Sequence, residues 1–366
     1  MMTNNKQIIT YPSARDLKTI LSENVRKSDL LSFLRTKGIF FFNITPDELA
    51  GKVSEMILDI NDLQKLRALA YKNTNKQILN GFSLISDGVF DLSNIYETIR
   101  KQGDFDGYKL NSIVKKKTSS GDIYEASLTY TKKMPGRIEF IRCEERDVSF
   151  VMKHLDEKHW QVEVDGGKSS DGKTIYTMLE KMIKGRNISI SMLRIDYLTR
   201  AETIDFFDQL AQEGLGENWE IEDIKRITLK QNAGNTDDSS ENEKEATPEQ
   251  LSGITQAILE GKNLRENNFV KQAEESGYAF TSMTYIFFNP KETKKVELRA
   301  EFKGNPKMFE VCLETYLEPS LDSNGEYEES LSHLSDNDNI NIRSTFWNNA
   351  KKIYNTLIKH QKENGV

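Results

Sequence analysis

The chain has 366 residues, 37% of them hydrophobic, with 50 basic against 57 acidic side chains and a formal net charge of -7; that is two to three domains' worth, long enough to bury cores without covalent staples. The two cysteines, Cys143 and Cys312, lie far apart in alternating segments and read as reduced, buried thiols rather than a disulfide framework or a metal site. No apolar run nears the roughly 20 residues of a membrane span and the N-terminus lacks the apolar centre of a secretory signal, so a cytoplasmic protein with no membrane contact is expected.

Residues 1–72 read as a small helical module, defined by its caps. Ser28 precedes DLLSFLRTK, which Gly38 can end in the left-handed conformation. Thr45-Pro46-Asp47-Glu48 is a capping box with proline at the first helical position, opening ELAGKVSEMI, and Asn61 or Asp62 starts a further helix through Tyr71. Leu30, Leu31, Leu34, Leu49, Val53, Met56, Leu63 and Leu66 recur at helical spacing and supply the expected core. Over residues 28–57, DLLSFLRTKGI followed by ITPDELAGKVSEMI resembles a SAP-type helix-extended-helix, a short module that holds duplex DNA. The resemblance implies phosphate contacts from Arg35, Lys37 and Lys52 that position the protein without reading sequence. Phe40, Phe41 and Phe42 fill the connector, so a docking module whose aromatics pack on the next domain or on a protein partner is the competing expectation.

Residues 73–230 read as a first α+β half. A mixed stretch from Asn80 to Leu92 leads to a helix near Leu92 to Lys101. Four alternating segments follow, IYEASLTYTKK, GRIEFIRC, DVSFVMKHL and WQVEVDG, whose simplest account is an antiparallel meander. Basic and aromatic residues interleave at Tyr108, Lys109, Lys115, Lys116, Lys117, Tyr124, Tyr130, Lys132, Lys133 and Arg137, a combination able to neutralise phosphates and stack bases.

From Trp160 to Ile183 the chain runs through a strand, a glycine-rich turn and an amphipathic helix. Gly167, Gly172, Lys173 and Thr174 match the phosphate-loop spacing G-x-x-x-x-G-K-[ST], with Asp196 as the magnesium carboxylate; that alternative makes the chain an NTPase using Mg with ATP or GTP. The residues before the loop point elsewhere. A phosphate-loop strand is covered on both faces and almost continuously apolar, whereas Trp160, Val162 and Val164 alternate with Gln161, Glu163 and Asp165, which predicts one wet face. Asp171 as a cap, with Ile175, Tyr176, Leu179, Met182 and Ile183 as an apolar stripe, explains the helix without a ligand. No cofactor is therefore expected.

A strand at Ile188 to Tyr197, a helix opened by the capping box Thr199 to Glu202 and an alternating segment from Trp219 to Leu229 complete this half. The charge imbalance is local: Gln212 to Glu249 holds 11 acidic and 4 basic residues. Within it, residues 231–250 have no large apolar side chain and read as an acidic disordered linker. Residues 251–366 read as a second α+β half, with helices from about Pro248 to Leu259 and within Leu264 to Ser276.

This half echoes the first. Tyr124 and Ser127 to Tyr130 match Tyr278 and Ser282 to Tyr285. Ile138-Glu139-Phe140 matches Val296-Glu297-Leu298, and Ser149-Phe150-Val151 matches Met308 to Val311. Phe346, Trp347, Ala350, Ile353 and Tyr354 repeat the helical stripe, entered without a Gly-Lys pair. The expected fold is α+β: a helical module, then two meander-and-helix halves that read as duplicates of one another.

Other chemistry is thin. His154 and His159 lie five apart, at neither helical nor strand spacing for a metal pair. Glu301-Phe302-Lys303, with Glu297 four residues earlier, supplies the E-x-K half of a magnesium-dependent nuclease, a further alternative whose bland counterpart is the wet face of a strand. The leading expectation is a non-catalytic binding and assembly subunit, homo-oligomeric or joined to a partner enzyme, touching nucleic acid, in a bacterial DNA-processing or antiviral defence complex.

Overall fold

Antiparallel pairing organises most of the chain. The computed structural model describes residues 11–72, 78–87, 97, 107–118, 121–134, 138–185, 187–231, 254–304, 307–321, 327–331 and 336–364, and in them the protein is α+β. The chain forms two compact units: residues 1–76, 102–111 and 128–147, and residues 77–101, 112–127 and 148–366.

The first unit contains helices α1 (Ala14–Asn24), α2 (Lys27–Arg35), α3 (Pro46–Ser54) and α4 (Ile60–Lys72). Ser13 caps α1 through the N–H of Asp16, and Thr45 with Glu48 forms the expected capping box on α3. Gly38 ends the α2 region at φ 74°, the left-handed conformation its lack of a Cβ permits. α2 starts at Lys27, so Ser28 lies in its first turn and Arg26 holds the cap position. Leu17, Leu21, Leu30, Leu34, Leu49, Val53, Leu63 and Leu66 are buried together, and Phe140 and Ile141 join them from the 3-10 turn Glu139–Ile141. That turn corrects the expected strand GRIEFIRC: two consecutive apolar residues enter one helical core, which no strand can do.

The strands are β1 (Ile78–Ser86), β2 (Tyr108–Thr118), β3 (Gly121–Lys133), β4 (Cys143–His154), β5 (His159–Gly166), β6 (Ile188–Met192), β7 (Glu220–Gln231), β8 (Gln256–Glu260), β9 (Tyr278–Asn289), β10 (Lys294–Lys303), β11 (Met308–Leu321) and β12 (Tyr327–Leu331). Their order is β2-β3-β4-β5-β1-β11-β10-β9-β7-β8, with β12 on β11 and β6 on β1. β1, inside the stretch read as mixed, is thus a central strand, and it is buried along almost its whole length. It meets β11 over only three paired positions, Ile78 with Cys312, Leu79 with Val311 and Asn80 with Glu310. β8 replaces the helix expected to reach Leu259; its alternating burial shows period two, not 3.6. The expected helix at 92–101 and the acidic linker lie outside the described residues, apart from Glu97 and the end of β7.

The remaining helices are α5 (Ser169–Ile183), α6 (Arg200–Glu213), α7 (Asn268–Glu275) and α8 (Asp336–Asn364). Phe206 and Phe207 of α6, Phe346, Ala350 and Tyr354 of α8, and Phe280, Tyr285, Phe302 and Phe309 of the sheet form the main core. β5 departs from its expected wet face. Val162 and Val164 lie under α5, while Gln161 and Glu163, each 4% exposed, are covered by α8. Ser344 Oγ donates to Glu163 Oε2 (2.7 Å), Gln161 Nε2 to Asn348 Oδ1 (2.6 Å), Lys351 Nζ to Gln161 Oε1 (3.0 Å) and Arg343 Nη1 to Asp165 Oδ1 (2.6 Å). The alternation was real, but its polar half meets a polar helix face rather than water. Of the segments matched in the echo, those at 124–130 and 278–285 fall on β3 and β9, and those at 149–151 and 308–311 on β4 and β11. Val296 to Leu298 lies on β10, while Ile138 to Phe140 enters the 3-10 turn.

Candidate functional site

The start of α5 and the E-x-K strand, two segments singled out for unrelated reasons, meet at a residue the sequence did not flag. Glu310 sits on β11, 1% exposed, directly opposite Glu301 on β10 and Asn80 on β1. Antiparallel partners place their side chains on one face, so Asn80, Glu310 and Glu301 form a polar row across three strands, continued on β9 by Ser282. Ser169, the first residue of α5, donates its hydroxyl to Glu310 Oε1 (3.0 Å). Glu301 is bound by Arg299 and lies 3.7 Å from Lys303 Nζ; Arg299 Nε also donates to Glu314 Oε1 (2.9 Å). Burial pushes the Glu310 carboxyl up to about 7; the Ser169 bond, Lys303 and Arg299 oppose this, and Glu301 adds to it.

The glycines of the run serve close packing here. A Cβ on Gly172 would lie 2.7 Å from Asn80, and one on Gly166 would lie 2.6 Å from Asp171. Asp171 folds back to accept the N–H of Lys168 (2.9 Å), capping α5 from its third position rather than from the expected N-cap. Residues Ser169 to Thr174 are helical, and Thr174 Oγ1 donates to the carbonyl of Ser170 (2.9 Å). β5 pairs antiparallel with both β1 and β4. A phosphate loop instead wraps an anion between a parallel strand and its helix. Gly167 precedes the helix, and Asp196 pairs with Arg194 (3.1 Å) in the turn Ile195–Tyr197. We expect Gly172→Ala to cost about 1–3 kcal/mol through the clash with Asn80 and Lys173→Ala to cost less, with Mg·ATP and Mg·GTP leaving the melting temperature of both variants and of the parent unchanged. A nucleotide-dependent rise in the parent that Lys173→Ala abolishes would reverse that reading.

The nuclease triad does not assemble as a unit. Glu301 and Lys303 share the row with Glu310, but Glu297 lies further along β10, bound to Lys225 of β7 (2.9 Å). No group of three or more His, Cys, Asp or Glu suited to a metal occurs among the described residues. His159 Nδ1 instead lies 2.7 Å from Asp156 in the β4–β5 turn, and His154 packs on Trp160. Cys143 and Cys312 form no disulfide; Cys312 is buried and Cys143 only half-buried.

Several candidate nucleic-acid residues are occupied locally. Lys37 pairs with Asp62 (2.6 Å), Lys115 with Asp122 (2.7 Å) and Lys116 with Glu125 (2.7 Å). The Asp122 bond holds the Lys115 ammonium above its usual range, and the Lys37 bond lowers the Asp62 carboxyl. Lys115, Lys116 and Lys117 lie on β2, an end strand of the sheet order, where charge discourages edge-to-edge pairing. Arg35, Lys52, Lys117 and Lys133 are exposed, Lys132 is half-buried, and Arg137 lies outside the described residues. In the connector between α2 and α3, Phe41 packs on the helical core, while Phe40 and Phe42 are 63% and 87% exposed; Ile57, after α3, is fully exposed.

A cleft of about 650 Å³ is walled by Trp219 and Tyr316. Its lysines are engaged within it, Lys291 with Asn218 (2.9 Å) and Lys294 with Glu292 (2.9 Å).

Comparison with known proteins adds little. No family model and no curated protein matches the chain. Among solved structures, the chain is similar to that of DynU16, a protein of the dynemicin biosynthetic locus, at 9% identity over 76% of this chain and 99% of that one. The TM-score is 0.16, too low to carry an argument. No helix among the described residues is long and apolar enough to cross a membrane.

Proposed function

We propose that this chain is a non-catalytic binding and assembly subunit, acting in the cytoplasm, whose N-terminal helical unit docks a protein partner through the aromatic connector between α2 and α3. The observation that carries this reading is the display of Phe40 and Phe42 beside a fully formed core: Leu30, Leu34, Leu49 and Val53 need no further cover, yet the two phenylalanines that flank Phe41 are held out to solvent. Exposed aromatic clusters of this kind are costly to keep unless a partner covers them. The partner is a protein with a complementary apolar surface. Nucleic acid is the lesser part of the reading, because three of the candidate cations are already paired with carboxylates.

The test is the double variant Phe40→Ser, Phe42→Ser. Its unfolding free energy is expected to stay within about 0.5 kcal/mol of the parent, while a stoichiometric protein partner that co-purifies with the parent from its native host is lost. A parent chain that purifies at its own mass, or a double variant that unfolds, would overturn the reading. Duplex DNA binding that weakens steeply with salt would instead place the contact on Arg35, Lys52 and Lys117.

A further inference from the structure

We infer that Glu310 and Asn80, lying under the first turn of α5 where β1 meets β11, form a proton-operated latch that closes the sheet at a joint of three paired positions. The joint is short: β1 and β11 pair at three positions, and Asn80 opposite Glu310 is one end of that ladder. Both side chains are 1% exposed. Glu310 Oε1 is engaged by Ser169, but Glu310 Oε2 and both polar atoms of Asn80 have no hydrogen-bond partner among the described residues. Buried polar atoms left this way cost more than any bond they could make would return, and three of them at facing positions of one ladder call for a common explanation.

A proton supplies it. Ionised, the Glu310 carboxylate is acceptor-only, and Oε2, on the residue paired with Asn80, is a buried charge with no hydrogen-bond partner among the described residues. Protonated, Oε2 becomes a donor and the carbonyl oxygen of the Asn80 side chain is the acceptor across the ladder, where paired residues stand about 5 Å apart. The carboxyl then bonds β1 through Asn80 and α5 through Ser169, joining strand, strand and helix. Gly172 keeps α5 pressed onto Asn80, so the turn that carries Ser169 cannot shift without disturbing the pair.

The groups facing Glu310 set when this happens. β10 contributes Glu301, Arg299 and Lys303, β11 itself the Cys312 thiol two residues on, and α5 the Ser169 hydroxyl, with Asp171 turned back to the Lys168 N–H. β1 contributes only Asn80, and β5 beyond it only Val164. Arg299 and Lys303 are themselves engaged by Glu301, so among the described residues no cation is dedicated to Glu310. Burial dominates this balance and moves the carboxyl to about 7. Below that pH the latch is closed; above it, water must enter to solvate the charge, loosening the first turn of α5 and the three-residue ladder together.

Amide hydrogen exchange on the whole chain, corrected for the intrinsic rate at each pH, tests this. Between pH 6 and pH 8.5, protection at residues 169–174, 78–80 and 310–312 is expected to fall about tenfold relative to the middle of α8. Glu310→Gln should hold the pH 6 level throughout. The carbon-13 carboxyl signal of Glu310 in the parent should titrate near 7, a measurement that stands even if the variant fails to fold. Equal protection at both pH values, the same pH dependence in Glu310→Gln, or a carboxyl titrating near the ordinary 4.5 would each overturn the latch.

Discussion

Glu310→Gln is expected to raise the unfolding free energy at pH 8 by about 3 kcal/mol, and to leave it nearly unchanged at pH 4.5. The native state keeps the Glu310 proton up to about pH 7, whereas the unfolded chain releases it near 4.5. Between those values the native state binds more protons, so stability falls as pH rises; above 7 both states are ionised and the whole loss is in place. Glutamine cannot ionise, yet it keeps an oxygen for the Ser169 hydroxyl, so the variant escapes the loss without losing that bond. All three tryptophans, Trp160, Trp219 and Trp347, belong to the second unit, and their fluorescence in urea reports that unit alone. The decisive quantity is the difference between variant and parent at pH 5, 6.5 and 8. If that difference does not grow with pH, the carboxyl is not buried as described.

Phe206→Ala should be the most damaging of the single core changes, costing about 4 kcal/mol. Phe206 is fully buried on α6 and lies within ring contact of Phe207 (5.4 Å), Phe302 (5.5 Å), Phe309 (5.4 Å) and Tyr354 (6.4 Å). It therefore joins α6 to two strands and to α8 at one point, and truncation leaves a cavity whose walls belong to four elements that cannot all relax inward. Phe206→Leu keeps most of the volume and should cost less than half as much. The urea midpoint of the second unit should drop with its slope unchanged; a loss under 1 kcal/mol for the alanine variant would show that the cluster repacks.

What the sequence disclosed was local. Thr45 with Glu48 and Thr199 with Glu202 cap their helices as their spacing predicts, because a capping box is closed within four residues. Gly38 takes its left-handed turn for the same reason. What it concealed was set by partners far along the chain. Gln161 and Glu163 looked wet because nothing near them in sequence says that Asn348 and Ser344 will cover them. Phe140 and Ile141 looked like a strand because their destination, the helical core, lies some 70 or more residues upstream. Glu310 lies within the matched segment Met308 to Val311 with nothing nearby to mark it; its partners are Asn80 and Ser169, 230 and 141 residues away. A carboxylate flanked on both sides by large apolar residues in a strand was the available signal. Glu301 and Lys303 were named for a nuclease, and the structure surrounds them with Arg299, Glu310 and Glu314 instead.

The contact between α8 and β5 has a mechanical consequence. Apolar surfaces attract without direction, so a helix seated only on leucines can slide or roll at little cost. α8 turns Arg343, Ser344, Asn348 and Lys351 toward Asp165, Glu163 and Gln161, and each of those bonds has a required length and angle. Advancing the helix by a single turn, 5.4 Å, would break all of them at once and strand a buried carboxylate. The same helix sends Phe346, Ala350 and Tyr354 into the aromatic core on its other side, so it acts as an indexed shaft: its polar teeth fix the one position at which its greasy side fits.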